Sequence, residues 1–231
     1  MIPLKDDIES TKPPIVTTAL IAINLLVYVI QVLSGSGQET WAWKYGLIPV
    51  ELTRGVELTP AMSTSSTLNL LTSMFLHGGF FHLAGNMLYL WIFGDNVEDR
   101  LGHVRFLLFY LISGFAAAFF FIWTEPDLQI PLVGASGAIA GVLGAYLLSY
   151  PRARIATLIF FGFFIRVIYI PAVIVLGLWF VLQVISGLPT AGAGGNTGGV
   201  AFFAHVGGFI AGLLLVIPFS PRGNRGLGWR R

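Results

Sequence analysis

Residues Gly134–Tyr146 read GASGAIAGVLGAY: one serine among glycines and alanines, uncharged, in a chain otherwise suited to lipid. Of 231 residues 55% are hydrophobic and only 10% are charged, and the mean hydropathy is +0.80. That composition is of a membrane protein. Apolar runs of about 18 residues or more, long enough to cross a bilayer, occur at 15–33, 76–93, 104–123, 133–150, 167–185 and 200–219. The expected fold is therefore all-α: a polytopic bundle of six transmembrane helices over residues 15–219. A short cytoplasmic N-terminal tail, 1–14, precedes it, and a basic cytoplasmic tail, 220–231, follows. The run 155–165, between Arg154 and Arg166, is too short to cross and reads as an interfacial or re-entrant piece.

Asp and Glu are absent from all six spans, and Lys and Arg lie outside them apart from Arg105 at the rim of the third. With the N-terminus in the cytoplasm, eleven of the 13 Lys and Arg fall inside and only Lys44 and Arg54 outside. This positive-inside bias sets the expected topology. The net charge of +2 then reflects orientation and anionic lipid, and gives no case for nucleic acid. The first span follows Pro13-Pro14 and mixed charges, and is expected to be an uncleaved anchor. With no cysteine, disulfides, thiol catalysis and thiolate metal sites are excluded.

Between the first two spans, Trp41, Trp43 and Tyr45 suit an element at headgroup level. The segment 94–102 reads as a cytoplasmic turn. The glycine-rich 187–199 reads as a mobile lid or a plain linker. No internal repeat is visible, so the inverted-repeat plan of many transporters finds no support, and a channel or transporter would need intramembrane charge that is lacking.

The polar residues singled out within the spans are His77, His82 and Asn86 on the second, Ser136 on the fourth and His205 on the sixth. Counting about 1.5 Å per helical residue from each cytoplasmic exit puts Ser136 about 21 Å, His205 about 20 Å and His82 about 18 Å above that face. Asn86 lies one turn deeper, and His77 near the outer surface. Taken singly, the serine reads as packing and Asn86 as interhelical glue; independent packing choices have no reason to share one depth. Gly137-xxx-Gly141 and Ala204-xxx-Gly208-xxx-Gly212 are small-xxx-small patterns that let helices approach closely. Close approach is what a serine hydroxyl needs to meet an imidazole, at about 2.6–3.2 Å. Without carboxylates, paired-acid proteolysis and an H-E-x-x-H zinc site are excluded. A histidine metal site would leave the serine unexplained, so a serine nucleophile with a histidine base is the economical reading and implies no metal and no cofactor.

Three motifs carry a resemblance: His77-Gly-Gly-Phe-Phe-His82-Leu-Ala-Gly-Asn86, Gly134-Ala135-Ser136-Gly137 and Ala204-His205-Val206-Gly207-Gly208. In this order the chain resembles the rhomboid intramembrane serine proteases in their minimal six-span form. The resemblance implies a Ser136–His205 dyad without an orienting acid, and an oxyanion site from the Ser136 N–H, His82 and Asn86. His77, Gly134, Gly137 and Gly208 are supporting residues. It implies substrates that are transmembrane segments of other proteins, cut near the outer face, and a prokaryotic plasma membrane; oligomeric state stays open. The family's inactive members, which bind membrane segments for quality control, form the alternative. Two positions depart from the family pattern: Leu68-Asn69 replaces a Trp-Arg pair, and Ala140 replaces an aromatic residue that stacks on the catalytic imidazole.

Overall fold

The computed structural model describes residues 1–58, 64–161, 164–188 and 201–221. Helices dominate, and those that carry the expected spans are α1 (Ile15–Leu33), α5 (Phe80–Leu101), α6 (His103–Thr124), α7 (Ser136–Ser149), α8 (Ala172–Gly187) and α9 (Phe202–Phe219). By length and composition α1, α6 and α9 are each long and apolar enough to cross a membrane, while α7 and α8 are shorter apolar helices. The helix α7 stands at the centre. Every residue from Ala138 to Tyr146 is buried, the pattern of a helix enclosed on all sides.

Its small side chains explain how that enclosure closes. A methyl group placed on Gly208 would run into the Gly137 carbonyl, and one on Gly212 into the Gly141 carbonyl. A methyl on Gly144 would meet the Phe209 carbonyl. These backbones therefore touch along three turns, as the small-xxx-small spacing leads one to expect. Toward the C-terminal end of α7, larger rings fill the core; Phe93 and Tyr146 meet edge to face at 4.9 Å.

Three segments differ from expectation. The fold is not purely helical: β1 (Ile2–Lys5), β2 (Arg154–Phe161) and β3 (Phe164–Pro171) form an antiparallel sheet in the order β1-β2-β3. Thus 155–165, expected as an interfacial or re-entrant piece, belongs to a hairpin whose register runs from Arg154 opposite Pro171 to Phe161 opposite Phe164. The fifth helix starts at Ala172 instead of 167 because β-branched and aromatic residues extend the strand up to Pro171, which fixes the helix entry. The second begins at Phe80, since Gly78-Gly79 keeps the chain extended, so His77 precedes the helix. That helix continues through 94–101, the expected turn, because Glu98 finds a use there: its carboxylate accepts the N–H groups of Val16 (2.8 Å) and Thr17 (2.7 Å) at the start of α1.

The N-terminal stretch is likewise more than a tail. Besides forming β1, it docks on the end of the bundle away from Ser136. Asp6 accepts hydrogen bonds from Asn96 Nδ2 (2.8 Å) and the Tyr146 hydroxyl, and Asp7 accepts the Arg154 N–H (2.7 Å). Ser10 donates to Asp95 (3.2 Å) and the Thr11 N–H to Asp99 (2.9 Å). Burial, with Asp95 and Asp7 nearby, pushes the Asp6 carboxyl up to about 6 against the Tyr146 hydrogen bond that lowers it. The basic residues Arg222, Arg225, Arg230 and Arg231 and the glycine-rich 189–199 lie outside the described residues.

Two outcomes follow from this packing. Gly212→Ala is expected to destabilise the chain by about 1–3 kcal/mol, read as a lower thermal unfolding midpoint in detergent. Gly177→Ala on α8, where a methyl meets nothing within 4 Å, should leave it unchanged or raise it. Because the docked state holds the Asp6 proton more tightly than the free chain does, docking is strongest below the ordinary carboxylate range and weakens as pH rises through about 6. Amide exchange over residues 2–11, corrected for its intrinsic pH dependence, should show protection falling across that interval. Asp6→Asn, which does not titrate at this position, should reduce the pH dependence, the remainder falling to Asp95, which holds Ser10 and whose carboxyl burial also raises.

Candidate active site

The segment that delivers Ser136 is held from several sides. Ahead of it, Leu47 and Leu132 exchange backbone hydrogen bonds (3.0 and 2.7 Å), and Leu47 is fully buried. The Gly134 N–H donates to the Ser73 carbonyl (2.8 Å). Gly134 has φ +131, a conformation closed to side-chain-bearing residues, and a methyl there would strike the His82 ring. Ser136 then opens α7, so the first N–H groups of the helix, which lack intrahelical partners, point toward the space beside its hydroxyl. Elsewhere the outer loop adds α2 (Gly37–Tyr45), α3 (Pro49–Arg54), α4 (Ser66–Thr72) and a 3-10 turn at Ser73–Phe75. At the Leu68-Asn69 departure, Leu68 is exposed while Asn69 is buried and accepts the Thr64 hydroxyl, tying the loop internally.

From α9, His205 reaches Ser136: Nε2 stands 2.8 Å from Oγ. Its other ring nitrogen, Nδ1, stands 2.8 Å from Oε1 of Gln183 on α8. The Trp179 ring, one turn earlier on the same helix, lies 5.8 Å from the imidazole, tilted by 35°. Ser136, His205, His82, Asn86, Trp179 and Gln183 all line one cleft of about 1010 Å³, which among the described residues is lined by no Asp, Glu, Lys or Arg. His82 and Ser136 border Gly134 from two sides.

His77 is fully buried and takes no part in lining the cleft. Its Nε2 faces Asn86 Nδ2 at 2.9 Å, so the amide donates to a neutral ring. Gln31 of α1 in turn grips the His77 backbone, accepting its N–H (3.2 Å) and donating to its carbonyl (3.3 Å). His77 thus supports Asn86 from behind, and one N–H of that amide remains for the cleft. Gly137 and Gly208 mark the contact of α7 with α9 directly beneath the serine and the histidine.

Sequence reasoning missed Gln31, Gln183 and Trp179. The signal was present, since each glutamine is a polar side chain inside an apolar run, but neither lies in a recognisable motif.

Comparison with known proteins agrees with this architecture. Rhomboid protein 1, mitochondrial, of Saccharomyces cerevisiae is 29% identical over 208 residues, 88% of this chain and 53% of that protein. RHOMBOID-like protein 4 of Arabidopsis thaliana is 33% identical over 162 residues, 70% of this chain and 36% of its own length. Rhomboid protease GluP of Bacillus subtilis is 34% identical over 134 residues, 58% of this chain and 24% of GluP. The chain therefore spans about half, or less, of the length of these curated relatives. Two of these relatives are from eukaryotes, one of them named as mitochondrial, and one is from a bacterium, so the expectation of a prokaryotic membrane is left unsupported. The family model described as the rhomboid domain matches residues 64–222, a stretch that contains the serine turn, the α9 histidine and the glycine seam between them; the chain belongs to the rhomboid family of integral membrane proteins.

Proposed function

We propose that this chain is an intramembrane serine endopeptidase that cuts transmembrane segments of other proteins near the outer face of the bilayer. The observation that carries the reading is the 2.8 Å approach of His205 Nε2 to Ser136 Oγ, in a cleft with no charged side chain. Ser136 Oγ attacks the scissile carbonyl carbon while Nε2 takes the hydroxyl proton. The tetrahedral oxyanion is received by the Ser136 N–H at the head of α7, with His82 and Asn86 as side-chain donors. Collapse breaks the C–N bond, and the imidazolium returns its proton to the departing amine. Water, deprotonated by the same nitrogen, then hydrolyses the acyl-enzyme. The site needs no cofactor.

The topology belongs to the same proposal: six crossings, both termini cytoplasmic, and a cleft that opens to the outer side. The docked N-terminal stretch and the sheet, at the end of the bundle away from Ser136, are compatible with it. A substrate helix must expose its backbone to the serine, so helix-weakening residues near the cut should favour cleavage.

A fluorophosphonate probe applied to the full chain in liposomes tests the dyad. Wild type should become labelled, whereas Ser136→Ala and His205→Ala should not. Equal labelling of wild type and Ser136→Ala would refute the assignment, and absence of labelling in wild type would favour a non-catalytic rhomboid-like protein. Asn86→Ala should lower turnover of a cleaved transmembrane segment by about 10- to 1,000-fold with little change in KM. Unchanged turnover would restrict Asn86 to its contact with His77.

A further inference from the structure

The imidazole of His205 has to be held by something other than the serine helix, because the position one turn after Ser136 is Ala140, fully buried and too small to reach it. The holding groups come from α8. Trp179 and Gln183 are four residues apart, hence on one helical face, and both touch His205. Gln183 Oε1 is an acceptor only, so Nδ1 carries the ring proton and Nε2 keeps its lone pair toward the Ser136 hydroxyl. The opposite tautomer would present an N–H to Oγ and could not take its proton.

We propose that Gln183 is a positioning residue that fixes the tautomer and the plane of His205, making the catalytic set Ser136–His205–Gln183 where the sequence suggested a bare pair; this rests on the function proposed above. The role resembles that of the acid in a serine-protease triad, carried out by a neutral group. An amide suits the place, because a carboxylate facing lipid depth is costly while a carboxamide orients the ring without introducing charge. Trp179 closes one face of the ring and limits its rotation. The other titratable groups lining the cleft are His82 and Tyr89 of α5.

The experiment measures the second-order rate of fluorophosphonate labelling against pH for the full chain in liposomes. Gln183→Ala should slow labelling by about 10- to 1,000-fold. Gln183→Glu restores the acceptor and should label faster than Gln183→Ala, with the acidic limb of its profile moved to higher pH, since a carboxylate favours the protonated ring. Gln183→Met, similar in shape but without a strong acceptor, should behave as Gln183→Ala. The inference is overturned if Gln183→Met labels within about twofold of wild type, or if Gln183→Glu is as slow as Gln183→Ala with an unmoved limb. Should Gln183→Ala fail to fold, the Glu and Met variants decide the matter. Loss of Ser136-dependent labelling in wild type would instead bring down the proposed function.

Discussion

The backbone contact between α7 and α9 is the constraint on which the rest depends. Within a bilayer, apolar side chains gain nothing by leaving lipid for one another, so helices associate through close packing and polar contacts. Here the glycines at 137, 141, 144, 208 and 212 keep the seam clear enough for the two backbones to touch, Gly208 against the Gly137 carbonyl, Gly212 against the Gly141 carbonyl and Gly144 against the Phe209 carbonyl. That distance sets the next one. Ser136 and His205 sit just beyond the outer end of the seam, and their 2.8 Å separation exists because the two axes can come so near. A methyl added at Gly144, Gly208 or Gly212 would meet the facing backbone and force the two helices apart, whereas one at Gly137 or Gly141 would first meet Ala117 or Ser113 of α6.

A second constraint acts on the serine from the outer side. Before α7 begins, the chain passes through the Leu47–Leu132 bridge and the Gly134–Ser73 hydrogen bond, and turns at a φ that requires glycine. The outer loop is thus a clamp as well as a surface element. Buried behind it, the Gln31–His77–Asn86 chain of hydrogen bonds fixes the depth of Asn86. Around the cleft, α1 and α5 are tied through Gln31, His77 and Asn86, the loop before α7 through Ser73 and Gly134, and α9 through His205 to the Ser136 hydroxyl, each by a short polar contact that lipid cannot supply.

How much of this was legible follows from where the information resides. Depth along a helix is linear in residue number, so counting along each expected span already grouped Ser136, His205, His82 and Asn86, which line one cleft in the structure. Small-residue spacing gave the α7–α9 seam for the same reason. The hairpin of β2 and β3 was hidden because an apolar run bounded by arginines has the same composition whether it is a strand, a re-entrant piece or part of a span. The extension of α5 to Leu101 was hidden because its cause, Glu98 capping α1, joins residues about eighty positions apart. Gln183 was overlooked for a related reason: a lone glutamine in an apolar helix acquires meaning only once its face is known, and that face is set by tertiary packing.

The distribution of charge along the bundle gives the arrangement its logic. At the end of the bundle away from Ser136, Asp6, Asp95, Glu98 and Arg100 are all partly or wholly removed from water, yet each is hydrogen-bonded there; Asp6 and Asp95 hold the N-terminal stretch, Glu98 the start of the first helix and Arg100 the residue after α9. At the Ser136 end the same tasks of orienting and supporting fall to amides and imidazoles, and among the described residues the cleft is lined by no Asp, Glu, Lys or Arg. A carboxylate beside His205 would hold a stronger base, but it would also need a partner or water to remain ionised at that depth. In the reaction proposed above, Gln183 would orient the base at lower desolvation cost, and the transition state would form the charge pair itself, as an imidazolium beside an oxyanion. Since those charges would exist only during that reaction, a neutral cleft with preset donors would favour the transition state over the resting site, which is the condition for catalysis.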